Sequence, residues 1–445
     1  MIYNLFLEKI ILPLGDKLTG SSFMKNLKIL REQDNLSEQE LEYLQKKKLK
    51  KLLEYAVEHS PYYKKYKNKI NTDPVKSLKQ FPILDKTTLR NETDALLTKN
   101  KENLIKQSSS GSSGIQTTVY FNKEEQSIQR AYQIRWWEWA GYKIGDPLVQ
   151  TGMNPKRGFI KSIKDVLFYT KYFKAFTYNE DEVDEVLQWS SKQQEVSLAG
   201  YASSLYVLSK IAYKKEMNIS FKTIIVWGDK LFDHYRKSLE DIFQSKVYET
   251  YAASEGLMIA AQKDLPYMYL MSLNVFVEFL DDNGNEVMDG EIGHVVVTKL
   301  DGYAMPLIRY RIGDLAIRLP RDSYPPHKDL PYPLLQKVVG RDTDIVKTLS
   351  GQFMVVHTFT GIFEYFPEIE QFCVLQKDLK GIIIEYIPRE SFTMNILSNI
   401  EQKIRNTLNE ETFYIQFVEV DHIAPTASGK PQIIQSFLDK ADLRK

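Results

Sequence analysis

A chain of 445 residues with 59 Lys+Arg against 58 Asp+Glu has a formal net charge of +1, so its composition lacks the basic excess expected of a general nucleic-acid binder. An apolar content of 43% can fill a sizeable core, and at roughly 100 to 200 residues per domain the length predicts two or three domains. The single cysteine, Cys373, excludes an internal disulfide and a cysteine-built zinc or iron–sulfur site, which fits a reducing, cytoplasmic setting.

The opening run MIYNLFLEKIILPLGDKL carries Glu8 and Lys9 inside its apolar stretch and has no small-residue cleavage site, so it reads poorly as a signal peptide. No later stretch reaches the roughly 18 uncharged apolar residues of a spanning helix, and no transmembrane segment is expected. Residues 37 to 59 place Leu41, Leu44, Leu49, Leu52, Leu53 and Val57 at helical spacing, with Ser37 as cap and Glu40 three residues on. The lysines at 46 to 48, 50 and 51 read as a solvated face of that helix rather than a phosphate patch.

Next, Ser108-Ser109-Ser110-Gly111-Ser112-Ser113-Gly114 puts five hydroxyls and two glycines into seven residues, just before a strand-like Thr117 to Phe121. Glycine lets backbone approach closely, while hydroxyls and bare amides donate to phosphate oxygens, so the stretch reads as an anion cradle rather than a linker. Neither the Walker pattern nor the dinucleotide fingerprint occurs. Farther on, Thr223 to Trp227 is a short buried strand, a helix follows through Phe232 to Phe243, and Lys246 to Tyr251 is the next strand. That alternation means layered α/β structure.

Tyr251-Ala252-Ala253-Ser254-Glu255-Gly256 ends this strand, where ligands gather in open α/β sheets, and a glutamate there can hold a magnesium ion. Beyond about residue 270 period-two strands take over, among them 275 to 280 and 294 to 298, with Asp282-Asn283-Gly284-Asn285 as a tight hairpin turn. Leu307 to Asp314 then closes a β segment with an aspartate after glycine, whose carboxylate can accept two hydrogen bonds from a ribose diol. The proline-dense Pro320 to Pro333 reads as a surface excursion. Gly340-Arg341-Asp342-Thr343-Asp344 marks a domain junction. The remainder, with strand 382 to 386 and a helix near 396 to 408, reads as a small α+β domain whose loop Pro425-Thr426-Ala427-Ser428-Gly429-Lys430 presents a lysine.

Taken in order, the serine-glycine stretch, the Tyr-x-x-Ser-Glu segment, the Tyr-Arg-x-Gly-Asp segment, the Gly-Arg junction and the final Ser-Gly-Lys loop resemble the adenylate-forming superfamily of acyl-coenzyme A synthetases and adenylation domains. The resemblance spans nearly the whole chain. It is nearest the phenylacetate-coenzyme A ligase branch and its CapK-like members, through His59-Ser60-Pro61-Tyr62-Tyr63, Phe81-Pro82-Ile83-Leu84-Asp85-Lys86 and residues 364 to 376. It implies a large N-terminal domain, 1–340, of layered α/β sheets plus a β-rich subdomain, followed by a small mobile α+β domain, 341–445.

The implied chemistry joins a carboxylic acid to the α-phosphate of ATP, expels pyrophosphate, and passes the acyl group to coenzyme A, a carrier thiol or an amine. By resemblance, Ser109, Ser110, Gly111, Ser112, Ser113 and Gly114 cradle the departing phosphates, Glu255 coordinates Mg2+, and Ser254 lies at the α-phosphate. Asp314 holds the ribose hydroxyls and Arg341 adds a ribose or phosphate contact. Gly228 and Asp229 face adenine, with Tyr251 and Ala252 beside it. Lys430 is the catalytic cation, carried by the small domain, which then rotates for the second half-reaction. Tyr201 and Trp136 stand where relatives face their acid, although tryptophans on a helix are more often core.

Some positions depart from the pattern. The cradle's usual lysine and proline are Ile115 and Gln116, the small residue after the aromatic is Ala252 rather than glycine, and the junction has Thr343. The loss of a cation at the cradle favours a second reading, a degenerate nucleotide-binding member serving as a noncatalytic assembly partner. Amide formation on a polysaccharide sugar is a third. The sequence names no particular acid and no oligomeric state.

Overall fold

The computed structural model describes residues 2–108, 117–152, 165–175, 180–341, 345–349, 353–363, 365–408, 412–424 and 432–438. In chain order its strands are β1 (Ile105–Ser108), β2 (Thr118–Phe121), β3 (Leu148–Gly152), β4 (Thr170–Lys174), β5 (Ser197–Tyr201), β6 (Thr223–Trp227), β7 (Val247–Ala253), β8 (Leu257–Gln262), β9 (Met268–Leu270), β10 (Val275–Leu280), β11 (Ile292–Lys299), β12 (Tyr310–Arg318) and β13 (Leu334–Arg341). Six more follow: β14 (Ile345–Lys347), β15 (Phe353–Val355), β16 (Ile369–Asp378), β17 (Gly381–Pro388), β18 (Tyr414–Glu419) and β19 (Ile434–Ser436).

Strands β3 to β13 form one eleven-stranded sheet in the order β10-β11-β12-β13-β9-β8-β7-β6-β5-β3-β4. The half from β4 to β7 is parallel and the half from β7 to β10 antiparallel, so β7 is the strand where the two patterns meet. Parallel strands buried on both faces need continuous apolar runs, which Thr223–Trp227 supplies with Ile224, Ile225 and Val226 fully buried. Antiparallel strands accept alternation, as in the first four residues of β11 and of β12. The switch to antiparallel pairing begins at Leu257, in a strand buried throughout, and continues the same sheet rather than opening a separate one.

Local chemistry explains several boundaries. The helix Glu38–His59 starts on a capping box: Glu40 N donates to Ser37 Oγ at 3.2 Å and Ser37 N donates to Glu40 Oε2 at 2.8 Å. Its lysines are paired or solvated, with Lys46 on Glu42, Lys50 near Glu54 and Lys48 on Asp301. The expected turn at residues 282 to 285 forms, with Gly284 at φ +82° donating to Asp281 O, but it closes only a Leu280–Glu286 bridge and β11 begins later, at Ile292. The proline-dense stretch is not purely superficial, because Leu330 and Tyr332 are buried and Tyr332 OH donates to Asp34 Oδ1 at 3.2 Å. Prolines force extended backbone there, and the apolar residues between them still find the core.

Beyond β13 a separate four-stranded sheet of order β18-β17-β16-β19 packs with helices Val356–Phe363 and Asn395–Leu408 around Phe359, Val374, Ile384, Ile400 and Ile404. Phe232 and Tyr235 of the preceding sheet's flank join that cluster. Cys373 is buried within β16, and burial pushes its thiol up to about 12, so it is an inert core group. Among the described residues no helix is long and apolar enough to cross a membrane.

Candidate active site

The C-terminal ends of β5, β6 and β7 carry Tyr201, Gly228 with Asp229, and the segment Tyr251 to Glu255, beside the meeting of parallel and antiparallel strands. At the end of β7 the chain turns through Gly256 at φ +72°. A Cβ there would lie 2.4 Å from Gln129 Nε2 and 2.8 Å from Phe121 Cζ, so glycine alone fits. The turn drives Glu255 inward, and it is 5% exposed.

Three hydroxyls surround the Glu255 carboxylate. Tyr310 OH donates to Oε1 at 2.9 Å, Thr117 Oγ1 to Oε1 at 3.3 Å, and Ser254 Oγ to Oε2 at 3.1 Å. Burial and the neighbouring Glu255 together hold the Tyr310 hydroxyl protonated well above the usual tyrosine range. A second contact mirrors this one: Tyr251 OH donates to Asp314 Oδ2 at 2.7 Å. Each segment thus carries a tyrosine and, four residues on, a carboxylate. Each tyrosine donates to the other segment's carboxylate, lacing the end of β7 to β12.

Pairing within the sheet places the remaining groups. Asp314 on β12 is the Cα partner of Arg341 on β13, so the expected ribose-binding aspartate and the junction arginine sit opposite each other. The Arg341 side chain lies outside the described residues. Strand β12 is itself held by the Phe81 to Lys86 segment: Leu84 N donates to Arg309 O and Arg311 N to Leu84 O, both at 2.9 Å. Beneath, the Arg309 guanidinium meets Glu278 at 3.0 Å in a buried pair and donates to Phe81 O at 2.9 Å.

Residues Ser109 to Gly114, with Ile115 and Gln116, lie outside the described residues, as do Thr343 and Lys430. Both ends of the serine-glycine stretch are described. Ser108 pairs with Thr118 in the β1–β2 hairpin, Gln107 Nε2 donates to Ser254 O at 2.8 Å, and Thr117 donates to Glu255. The two described ends of the hairpin therefore stand beside Ser254 and Glu255, which lie nearly 140 residues farther along the chain.

Other expected residues take less direct places. Asp229 caps the helix Ala202–Lys214, its Oδ1 accepting from Ala202 N at 2.6 Å and its Oδ2 from Ser203 N at 3.1 Å. Gly228, at φ +81°, admits the Tyr201 ring, whose edge would lie 2.5 Å from an added Cβ. Ala252 is exposed, whereas Trp136 is 2% exposed and belongs to the core. Thr117, Gln107 and Tyr310 are the contacts that sequence reasoning missed. Tyr310 had a signal, since the two-residue period of a strand puts it on the same face as Asp314. A cleft of 730 Å³ lined by Lys230, Phe232, Glu249, Lys337 and Thr360 opens at the other end of β7, reaching neither Glu255 nor Asp314. Burial there raises the Glu249 carboxyl to about 7, against the opposing charges of Arg236 and Lys230.

For magnesium, the test is the donor set. The cation takes hard oxygens, commonly one or two carboxylates together with substrate phosphates and water. A single buried carboxylate ringed by Ser254, Thr117 and Tyr310 oxygens fits that preference.

No family model matches the chain. It is 26% identical over 427 residues to Protein CapK of Staphylococcus aureus, covering 92% of this chain and 91% of that protein. It is 23% identical over 300 residues to a phenylacetate-coenzyme A ligase of Thermus thermophilus, covering 64% of this chain and 67% of that one. Among solved structures, a 2-hydroxyisobutyryl-CoA ligase in the postadenylation state with an acyl-AMP superposes with a TM-score of 0.70 at 17% identity, over 93% of this chain and 92% of that one.

Proposed function

Since the chain belongs to the adenylate-forming superfamily, in its phenylacetate-coenzyme A ligase-like branch, we propose that it is an ATP-dependent carboxylate-activating ligase. A carboxylate oxygen attacks the α-phosphorus of ATP, the bond to the β-phosphate breaks, and acyl-AMP and pyrophosphate form. A thiol of coenzyme A or of a carrier then attacks the acyl carbon and AMP leaves; an amine is the other acceptor class. The similarity to CapK supports a place in capsule or surface polysaccharide biosynthesis, and the single cysteine fits a cytoplasmic setting.

Two anions must meet in the first step, so positioning and compensating charge carry it. Residues 109 to 114 surround the β- and γ-phosphates. Glu255, together with phosphate oxygens, would hold magnesium, which neutralises phosphate charge when bound. Ser254 lies at the α-phosphate, and Asp314 accepts from the ribose hydroxyls, aligned by Tyr251 OH at 2.7 Å. Lys430, on a small domain comprising residues 341–445, supplies the cation beside the reacting carboxylate, and residues 1–340 seat nucleotide and acid, with Tyr201 toward the acid.

The observation that carries this reading is the reciprocal lacing of Tyr251 to Asp314 and Tyr310 to Glu255. It holds Asp314 and Glu255 on one frame, which supports reading them as the ribose acceptor and the metal carboxylate. The test is pyrophosphate–ATP exchange with magnesium and a panel of aliphatic, hydroxy and aromatic acids. Stimulation well above the acid-free background by at least one acid is the expected outcome. A folded protein that binds ATP yet exchanges with none of them would instead be the noncatalytic assembly partner that Ile115 and Thr343 favour.

A further inference from the structure

The first described helix runs through Ile2–Phe6, a π-helical stretch Leu7–Ile11 and Leu12–Thr19, ending at Gly20 in the left-handed region. Along it Ile2, Phe6, Ile10, Leu14 and Leu18 recur every fourth residue, and all five are exposed, by between 45% and 86%. In an ideal α-helix such a row drifts about 40° at each step. The π-helical stretch, with about 4.4 residues per turn, turns back part of that drift and keeps the row on one side. Tyr3 and Val166 extend the apolar surface, joined through Tyr3 OH on Leu167 O at 2.7 Å.

Charge on this helix is segregated. Glu8 turns inward to Arg31 at 2.6 Å, and the Asp16 carboxylate accepts from Met24 N at 2.7 Å. Lys9 and Lys17 face out beside the apolar row, with Lys25 exposed on the following helix, where Lys28 is paired with the exposed Glu32 at 4.0 Å. Asn4 Nδ2 donates to Asp146 Oδ1 at 2.7 Å and Leu7 is fully buried, so the helix is clamped to the body on its inner side while its outer side stays apolar and cationic.

We propose that this helix binds an anionic lipid surface, lying flat with the row from Ile2 to Leu18 in the interface and Lys9 and Lys17 at headgroup level. An exposed apolar row flanked by lysines, with its carboxylates turned away, has the chemistry of an interfacial helix. A second copy of this chain is a poorer occupant. Two-fold pairing of the face brings lysines of like sign together, and the outer row holds no carboxylate to answer them. This inference is independent of the ligase reading, and its readout involves no catalysis.

The experiment is flotation of the full chain with vesicles of phosphatidylglycerol and phosphatidylcholine in equal parts, and with phosphatidylcholine alone. The protein floats with the anionic vesicles. The double variant Lys9→Gln/Lys17→Gln binds them roughly thirtyfold more weakly, and Phe6→Gln/Leu14→Gln abolishes flotation with an unchanged melting temperature, as befits exposed positions. Wild-type protein that stays at the bottom of the gradient overturns the proposal, as does flotation indifferent to both double variants. Sedimentation showing a dimer that Phe6→Gln/Leu14→Gln dissociates, without vesicle binding, assigns the face to a second copy instead.

Discussion

Lys299, at the end of β11, is 2% exposed, and among the described residues no hydrogen-bond partner lies within reach of its ammonium. The group sits 4.2 Å from the centre of the Phe121 ring, which also packs beneath Gly256. Burial lowers its pKa from 10.5 to about 8, against the charges of Glu125 and Asp301. Below the lower value folded and unfolded states both hold the proton, and the cost of the buried charge stands in full. Between about 8 and 10.5 the unfolded chain binds more proton than the folded one, so stability rises with pH across that window. Denaturant midpoints of the wild type should therefore gain roughly 2 kcal/mol from pH 8 to about pH 10. Lys299→Met should flatten this rise and be the more stable protein at pH 7. A wild-type curve that already falls over that interval would place the ammonium in contact with water.

At the scale of single elements, the helix Ala202–Lys214 has no side-chain cap of its own. Asp229, from the loop after β6, reaches across to accept from Ala202 N and Ser203 N, satisfying two of the orphan donors and placing a negative charge at the positive end of the helix dipole. Asp229→Ala should lower stability by about 1 to 2 kcal/mol, read as a shift in the denaturant midpoint. An aspartate that only faced adenine would leave the midpoint unmoved.

This cap also shows what sequence makes legible. Ser37 and Glu40 could be paired on paper because a capping box is local, and the strand 223 to 227 could be read from its own apolar run. Asp229 as a cap for residue 202 could not, because the contact exists only once β5 and β6 lie in parallel register, Tyr201 beside Trp227. The two tyrosine–carboxylate bonds of the site share that property. Their residue types stood in the quoted segments, but which tyrosine serves which carboxylate is decided by the eleven-stranded sheet.

At the scale of the whole molecule, the two larger sheets among the described residues are one whose last strand ends at Arg341 and one whose first strand begins at Ile369, with the β14–β15 pair and the helix Val356–Phe363 between them. The first holds Glu255 and Asp314 on a laced frame; Lys430 falls, in chain order, between β18 and β19 of the second. A cation carried on a separate unit can compensate charge during adenylation and then withdraw, which a lysine on the rigid frame could not do. If the proposed roles hold, nucleotide affinity resides mainly in the first sheet and the rate of adenylation depends on the segment carrying Lys430. Lys430→Ala should accordingly slow pyrophosphate exchange by about a hundredfold or more, the scale of losing one preorganised electrostatic donor. ATP binding measured by calorimetry should persist, and acyl transfer from supplied acyl-AMP should continue. If binding and exchange fell together in that variant, the lysine would be part of the nucleotide seat, and the division of labour between the two sheets would be wrong.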